Sequence, residues 1–483
     1  MSILVYNTLT RKKEEFIPLT PDQVKMYVCG ITPYDETHLG HGRAYITFDV
    51  IRRYLEHSGF EVTHIQNITD VDDKIIAKSQ TTSTKLQTIP KLQDPKEGCK
   101  EVSEKYIKAF FEVMDQLNVK RADMYPKATE HIPEMVSWIE GLTKKGFAYQ
   151  LEDGVYFEVD KFENYGKLSG KKKEDQESGA RIQIDQKKKN PLDFALWKKA
   201  KKGEPSWPSP WGEGRPGWHI ECSVMSTKYL GEQFDIHGGG LDLEFPHHEN
   251  EIAQTEALTG KIPWVKYWLH NGFVNINKQK MSKSLGNFFT LKDVFKKYDP
   301  MVVRFFILST HYRSPINYSD KDLSASKEAY GRITKFIQDI DFLIGKTKEV
   351  SPKIELIDLE EDFIPFRDSF IDAMDDDFNT ASALASIFDL IKFCRKTLDE
   401  GEAEKECLIL MKETVIELCG ILGIKVEQEG KSLEGSVEKL IKEREEARAK
   451  KDFARADAIR KQLSLQGIEI EDTPYGTKWK EQA

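Results

Sequence analysis

The chain predicts a parallel α/β sheet interrupted by an insertion, then an α-helical bundle and a small mixed α/β unit. Three observations carry that expectation. First, the apolar run Lys25–Cys29 breaks at Gly30 and Pro33 and opens a helix with apolar spacing at Leu39, Tyr45, Phe48, Ile51, Tyr54 and Leu55. Glu61–Ile68 then reads as a second strand, and strand, helix, strand makes a right-handed crossover in a parallel sheet. Second, from Pro300 onward the apolar spacing is helical: VVRFFILSTHY, then Leu323–Leu343, Phe363–Met374, Thr380–Leu398 and Cys407–Leu422, joined by short polar connectors. Third, Ser436–Trp479 reads as two charged helices followed by GIEIEDTPYGTKW, a hairpin closed at Pro474–Gly476.

Bulk properties bound the reading. A length of 483 residues suggests roughly three domains. A formal charge of −9 argues against a globally basic coat for nucleic acid, though a local basic face is compatible with it. No apolar run reaches a membrane span and the opening MSILVYNTLTRKKEEF has no secretory pattern, so the expected compartment is the cytoplasm. The six cysteines form no CxxC pair; they should be reduced, and any metal site must be assembled from distant segments.

In chain order, Thr37 is the expected N-cap of the first helix, which puts His38, Gly40, His41 and Gly42 in its first turn. Free N–H groups and the positive end of the helix dipole gather there and suit phosphate; a tight turn with surface histidines is the plainer alternative. Asn67, Thr69, Asp70, Asp72 and Asp73 follow the second strand at the edge where parallel sheets place ligands, where they can equally cap a helix starting near Asp72. Thr81–Lys100 reads as a polar loop and Val102–Leu117 as a helix. An insertion follows, with a helix over Ile132–Lys145, a hairpin over Ala148–Val159 and lysine-rich loops at Lys171–Lys173, Lys187–Lys189 and Lys198–Lys202; the loops are either solvated or in contact with phosphate.

The segment WPSPWGEGRPGWHIECSVMS should be a stiff loop before a helix near His219, and QFDIHGGG pairs a strand with three glycines. In LEFPHHENEIAQ, Pro246 fits a first helical turn, so His247 and Glu251 stand at i and i+4. That pair is either a surface hydrogen bond or half of a metal site, and Cys29 and Cys222, each beside a glycine-marked loop, are the available sulfurs. After a strand at Phe273–Ile276, the loop Lys280–Ser284 (KMSKS) carries two lysines that can act as point charges on a polyphosphate.

HLGH followed by KMSKS resembles the paired signatures of class I aminoacyl-tRNA synthetases, with Leu39 in place of the commoner isoleucine. Within that class YVCGIT, NITDVDDKI, GWHIECS, FDIHGGG and FPHHENEIAQ resemble the cysteinyl-tRNA synthetase family, and the similarity runs from Tyr6 to Trp479. The resemblance implies ATP-dependent joining of L-cysteine to tRNA through a cysteinyl adenylate. It also implies zinc held by Cys29, Cys222, His247 and Glu251 to select the substrate thiolate, and magnesium arriving with ATP. By position, His38, His41, Lys280 and Lys283 would stabilise the phosphates and Gly40 and Gly42 would admit the adenosine. Gly30, Thr69, Trp218, His237 and Asp242 would surround the amino acid.

The same resemblance divides the chain into a Rossmann-like catalytic domain at 1–125, a connective insertion at 126–205, and the second catalytic half at 206–275. It continues with the KMSKS and stem-contact region at 276–322, an anticodon-binding helical bundle at 323–424, to whose motif set Asp375–Thr380 belongs, and a small C-terminal domain at 425–483. There Trp479 would stack on anticodon bases, and a monomer is implied. Pro33 and the pair Glu36–Thr37 depart from the apolar residues usual beside the nucleotide loop. Two competing functions are a cysteine ligase with an amino-sugar acceptor and a non-catalytic zinc-containing tRNA-binding protein.

Overall fold

Strands of a parallel sheet are covered on both faces, so they need continuous apolar runs rather than alternation. QVKMYVCGI meets that need. In the computed structural model, which describes residues 2–85, 94–170, 187–276, 279–280, 289–345, 356–400, 403–426, 434–473 and 476–481, Gln23–Ile31 is a strand with Val24, Met26, Tyr27 and Val28 fully buried. It lies between Glu61–Ile68 and Phe234–Gly240, with Val265–Asn271 beyond the latter, all four parallel. The first and third strands in chain order are therefore neighbours, and the connections leave in opposite directions at that point. Such a switch opens a crevice at the carboxyl ends of the strands.

The helix Leu39–His57 makes the first crossover, as its apolar spacing predicts. Its cap differs from the expectation. His38 is the N-cap, its side chain accepting from His41 N, because the Thr37 carbonyl is engaged by Leu291 N at 2.8 Å. The expected loop at 81–100 is also corrected: the helix Asp73–Lys85 runs into it and Pro95–Gln116 begins within it, while 86–93 lie outside the described residues. Asp94 caps the second of these helices by accepting from Lys96 N at 2.9 Å, and Ile75, Ile76, Cys99, Val102 and Tyr106 pack the pair together. Its charged surface positions hide that apolar seam from a periodicity count.

The insertion folds as Ile132–Lys144 and an antiparallel sheet ordered Ala148–Leu151, Gly154–Phe157, Phe194–Lys199, Gly214–Pro216. Several of its lysines bond within the protein itself. Lys189 pairs with Glu158 at 2.9 Å, Lys188 donates to Asp193 O at 3.0 Å, and Lys198, read as loop, lies in the third of these strands and pairs with Asp73 at 2.9 Å. Lys171–Lys173 lie outside the described residues.

The chain forms two compact units. One comprises Met1–Lys327 with Asp368–Ala385 and Ile421–Ile424; the other comprises Glu328–Arg367, Ser386–Gly420 and Lys425–Ala483. The second unit draws on the helices Asp320–Ile344, Leu356–Asp375, Thr380–Glu400 and Lys405–Ile421, with Cys394, Cys407 and Cys419 in its interior. It ends in Glu434–Ala449, Phe453–Leu465 and the hairpin Ile468–Thr473 with Gly476–Glu481, around Val437, Ile441, Ile459, Leu463, Ile468 and Ile470. Among the described residues no helix is long and apolar enough to cross a membrane.

In the first unit Asp49 is fully enclosed and takes hydrogen bonds from Arg304 Nη2, from Arg53 Nε at 2.8 Å and from Lys120 N at 2.8 Å. Arg304 donates further to Leu422 O and Leu117 O, each at 2.9 Å, so one ion pair ties the first crossover helix to the returning segment at 421–424. Burial alone would raise the Asp49 pKa, but Arg304 and Arg53 outweigh it and hold it below the ordinary value. Its contribution is thus present above the ordinary carboxylate range and fades as pH falls through the lowered value. Asp49→Ala strands a buried guanidinium and should destabilise the first unit by about 3–5 kcal/mol. Urea unfolding followed by circular dichroism measures this, and a loss below about 1 kcal/mol would mean that the pair behaves as an exposed one.

Candidate active site and metal centre

The first and third strands pair through Met26, Tyr27 and Val28 against Ile236, His237 and Gly238, and then diverge. Cys29 is the next residue on the first strand, so its side chain stands where the crevice opens. Gly238 has no room for a side chain, since a Cβ there would meet the Phe48 ring at 2.2 Å. Gly30 is as constrained: its N–H donates to Asn67 Oδ1 at 2.8 Å, and an added Cβ would lie 1.5 Å from the Asn67 carbonyl oxygen.

Three further segments reach the same point. The helix Trp218–Leu230 brings Cys222, whose Sγ is 3.9 Å from Cys29 Sγ. A wide helical turn at Glu244–His248, broken at Phe245, brings His247, and the helix Glu249–Thr259 brings Glu251. Although the helix proper starts after Pro246, the i, i+4 contact forms, with His247 Nε2 at 3.0 Å from Glu251 Oε1. Cys29, Cys222, His247 and Glu251 are all buried, each offering a donor atom within 4.8 Å of the others. A tetrahedral ion with bonds of about 2.0–2.3 Å separates its ligands by roughly 3.3–3.8 Å, so the donor set fits a borderline-soft cation.

Burial and mutual contact set the protonation of the four donors in different directions. Burial pushes the Cys29 thiol well up, while a hydrogen bond with Cys29 holds Cys222 down at about 6. Burial opposes the charged forms of His247 and Glu251 as well. It is outweighed by their mutual attraction, joined by Cys222 at His247 and by His237 at Glu251, leaving them at about 10 and about 2.

Of the residues assigned to the amino-acid pocket, His237 is fully buried and bonds Glu251 Oε2 at 2.9 Å. Trp218 is 39% exposed and stacks on His247 at 4.1 Å, forming a wall beside the donor cluster. Thr69 is buried and donates to Glu221 Oε2 at 2.8 Å; Asp242 is exposed in the turn after Phe234–Gly240. Asp70 and Asp72 act locally, Asp70 accepting from Thr129 and Asp72 from Lys74 N at 2.9 Å.

At the other side of the crevice His38 and His41 stack at 3.6 Å and close a reciprocal cap, each ring taking the other's backbone N–H. Tyr45 links this turn to the donor cluster through a 3.5 Å bond to Cys29 O. Gly40 lies in the first helical turn, and Gly42 admits Leu291, whose Cδ1 would be 3.0 Å from an added Cβ. Lys280 falls on a two-residue strand beside Val274–Ile276, but its side chain, like the whole of Lys283, lies outside the described residues.

Residues that sequence reasoning missed lie around the donor cluster: His248, His270 and Glu221, all buried, and His219, half-buried, whose Nδ1 is 3.0 Å from His247 Nδ1. The doubled histidine in PHHEN was the available signal, and Pro246 drew attention to only one of the two.

Solved structures that share this architecture include aminoacyl-tRNA synthetases. Mycobacterium tuberculosis methionyl-tRNA synthetase bound by methionyl-adenylate matches with a TM-score of 0.58 at 15% identity, over 83% of this chain and 90% of that one, a likeness of fold alone. The family model for the class I (C) tRNA synthetase catalytic domain matches residues 15–328, a DALR domain matches 369–427, and a cysteinyl-tRNA ligase anticodon binding domain matches 431–479. Cysteine–tRNA ligases of Carboxydothermus hydrogenoformans and Thermococcus onnurineus are 49% and 51% identical, each over 99% of both chains. That of Clostridioides difficile is 50% identical over the same share. The chain belongs to the cysteine–tRNA ligase family.

Gly30→Ala tests how far the strand end can yield. The methyl group must push the Asn67 carbonyl aside and separate a pair of bonded strands, so thermal unfolding should show a loss of at least about 2 kcal/mol. An unchanged melting temperature would mean that the crevice relaxes freely at this point.

Proposed function

We propose that the chain ligates L-cysteine to the 3′ end of its cognate tRNA through a cysteinyl adenylate, acting as a cytoplasmic monomer. The carrying observation is the buried donor set Cys29, Cys222, His247 and Glu251 at the strand switch point, reached from the same crossover that caps its helix with His38 and His41. Zinc held by those four residues would favour the substrate's thiolate, as an added ligand, over the hydroxyl of serine, so selection would not depend on small differences in size.

The chain's own groups account for the rest. Trp218, stacked on His247, shapes the wall against which the amino acid lies, with Gly30, Thr69, His237 and Asp242 around it. His38 and His41 stand at the positive end of the helix dipole, where negative charge on the phosphates is stabilised as it shifts during attack by the cysteine carboxylate. Lys280 and Lys283 would neutralise the departing pyrophosphate, with magnesium accompanying ATP. Gly40 and Gly42 keep side-chain bulk away from the adenosine. The terminal hydroxyl of tRNA then attacks the acyl carbon and AMP leaves. The match of residues 431–479 to an anticodon binding domain favours tRNA over an amino-sugar acceptor.

Cysteine-dependent exchange of labelled pyrophosphate into ATP, with serine as control, is the deciding measurement, followed by charging of a tRNA bearing the cysteine anticodon. Absent exchange would falsify adenylation, and exchange without charging would point to another acceptor. Cys222→Ser should lower zinc content and raise the KM for cysteine together; a variant with full zinc would remove Cys222 from the metal set. Lys283→Ala should bind cysteine with little change yet activate it roughly 100-fold more slowly, as expected when one transition-state charge contact is lost.

A further inference from the structure

Cys29 and Glu251 belong to two donor sets, not one. Beside the set described above, Cys29, His237, His248 and Glu251 also offer donor atoms within 4.8 Å of one another, all of them buried. The two sets divide the shared ligands between them. Glu251 turns Oε1 toward His247 at 3.0 Å and Oε2 toward His237 at 2.9 Å, the disposition of a carboxylate that bridges two ions. Cys29 Sγ faces Cys222 Sγ at 3.9 Å on one side and His248 Nε2 at 3.2 Å on the other.

One histidine of the inner set, His248, has the support that a ligand histidine usually has. A ligating imidazole normally has a partner on its second nitrogen that fixes its orientation. His248 Nδ1 is 2.8 Å from His270 Nε2, and His270 Nδ1 is 2.8 Å from Thr8 Oγ1, so a three-residue chain holds the ring toward Cys29. His237 is held by stacking on Trp268 at 4.5 Å and 17°, and its Nδ1 has no hydrogen-bond partner among the described residues. Charge favours occupancy too. One thiolate, one carboxylate and two neutral imidazoles neutralise a divalent ion, which suits a dry interior.

We propose that Cys29, His237, His248 and Glu251 form a second position for a borderline-soft divalent cation such as zinc or cobalt, bridged to the first through Cys29 and Glu251. With both positions filled, two thiolates and one carboxylate face two divalent ions, so the second ion is held more weakly than the first. The inference rests on the reading of Cys29, Cys222, His247 and Glu251 as the primary metal set.

The test adds Co2+ to the full-length protein as isolated, under reducing and anaerobic conditions. Bound metal per chain is measured by equilibrium dialysis, together with the near-ultraviolet thiolate-to-cobalt charge-transfer absorption. The wild type should keep its first ion and take up about one further equivalent with added charge-transfer absorption, since Cys29 is the shared sulfur. His248→Gln and His237→Gln should each weaken that second equivalent at least roughly 10-fold while retaining the first. Near-ultraviolet circular dichroism identifies any variant whose fold is lost, and either variant suffices. Absence of a second thiolate-bound equivalent in the wild type overturns the proposal, as does its persistence in both variants. Failure of the primary reading looks different: the first ion would then be missing from the wild type or unaffected by Cys222→Ser.

Discussion

A carboxylate shut away from water has to be compensated, and much of the first unit is arranged around the compensation of Glu251. Isolated burial of such a charge costs several kcal/mol, which only close partners offset. Each Glu251 oxygen has its own histidine, His247 on one side and His237 on the other. Those partners come from separate regions of the fold: a strand end, the turn before a helix and, through the cysteines, a second strand end and a second helix. The sheet must therefore open after Val28 and Gly238, and the helix Glu249–Thr259 must enter close to the crevice. Trp264 and Trp268, fully enclosed beside the cluster, keep the surroundings dry and make each of these contacts stronger than it would be in water.

The nucleotide side obeys a different constraint, that of unsatisfied helix N–H groups. His38 and His41 meet some of it themselves by capping each other's backbone, which orients both rings before any ligand arrives. The unusual Glu36–Thr37 pair then has a local purpose. Thr37 O receives Leu291 N at 2.8 Å and Glu36 pairs with Lys292 at 3.0 Å, so both residues fasten this turn to the segment just after KMSKS. An apolar pair at these positions could not make the ion pair, although the backbone bond would survive.

Local patterns were legible wherever one segment sufficed to express them. Glu61–Ile68 appears with the bounds its sequence suggests, and Gln23–Ile31 and Phe234–Gly240 follow from apolar runs ended by glycine. The His247 and Glu251 spacing was visible for the same reason. What the sequence concealed depends on contacts between segments. The strand Phe194–Lys199 is masked by its lysine pair, of which Lys198 finds a carboxylate at Asp73, and the helices either side of residues 86–93 are defined by an apolar seam they share. His270 reads as one more residue of an ordinary strand, and only pairing with Phe234–Gly240 and contact with His248 give it a place behind the cluster.

The motif Asp375–Thr380 shows how a segment can belong by sequence to one region and by energetics to another. It lies between two helices of the bundle, yet it packs in the first unit. Asp377 is fully buried and accepts from Tyr6 N at 2.9 Å, Tyr312 Oη at 2.8 Å and Arg313 Nε at 2.6 Å. Asp377 and Phe378 both have left-handed backbones, with φ of 62° and 54°, a conformation that costs roughly 1–2 kcal/mol per residue outside glycine. Two such residues in succession persist only where surrounding contacts over-determine them, and here three donors on one carboxylate do so. The charge of Asp377 is thus consumed inside the protein, where it ties Tyr6, in the short strand Leu4–Asn7, to the segment Tyr312–Arg313. A surface reading of its three consecutive aspartates as a patch facing a partner overlooks that the last of them has no exposed oxygen to offer.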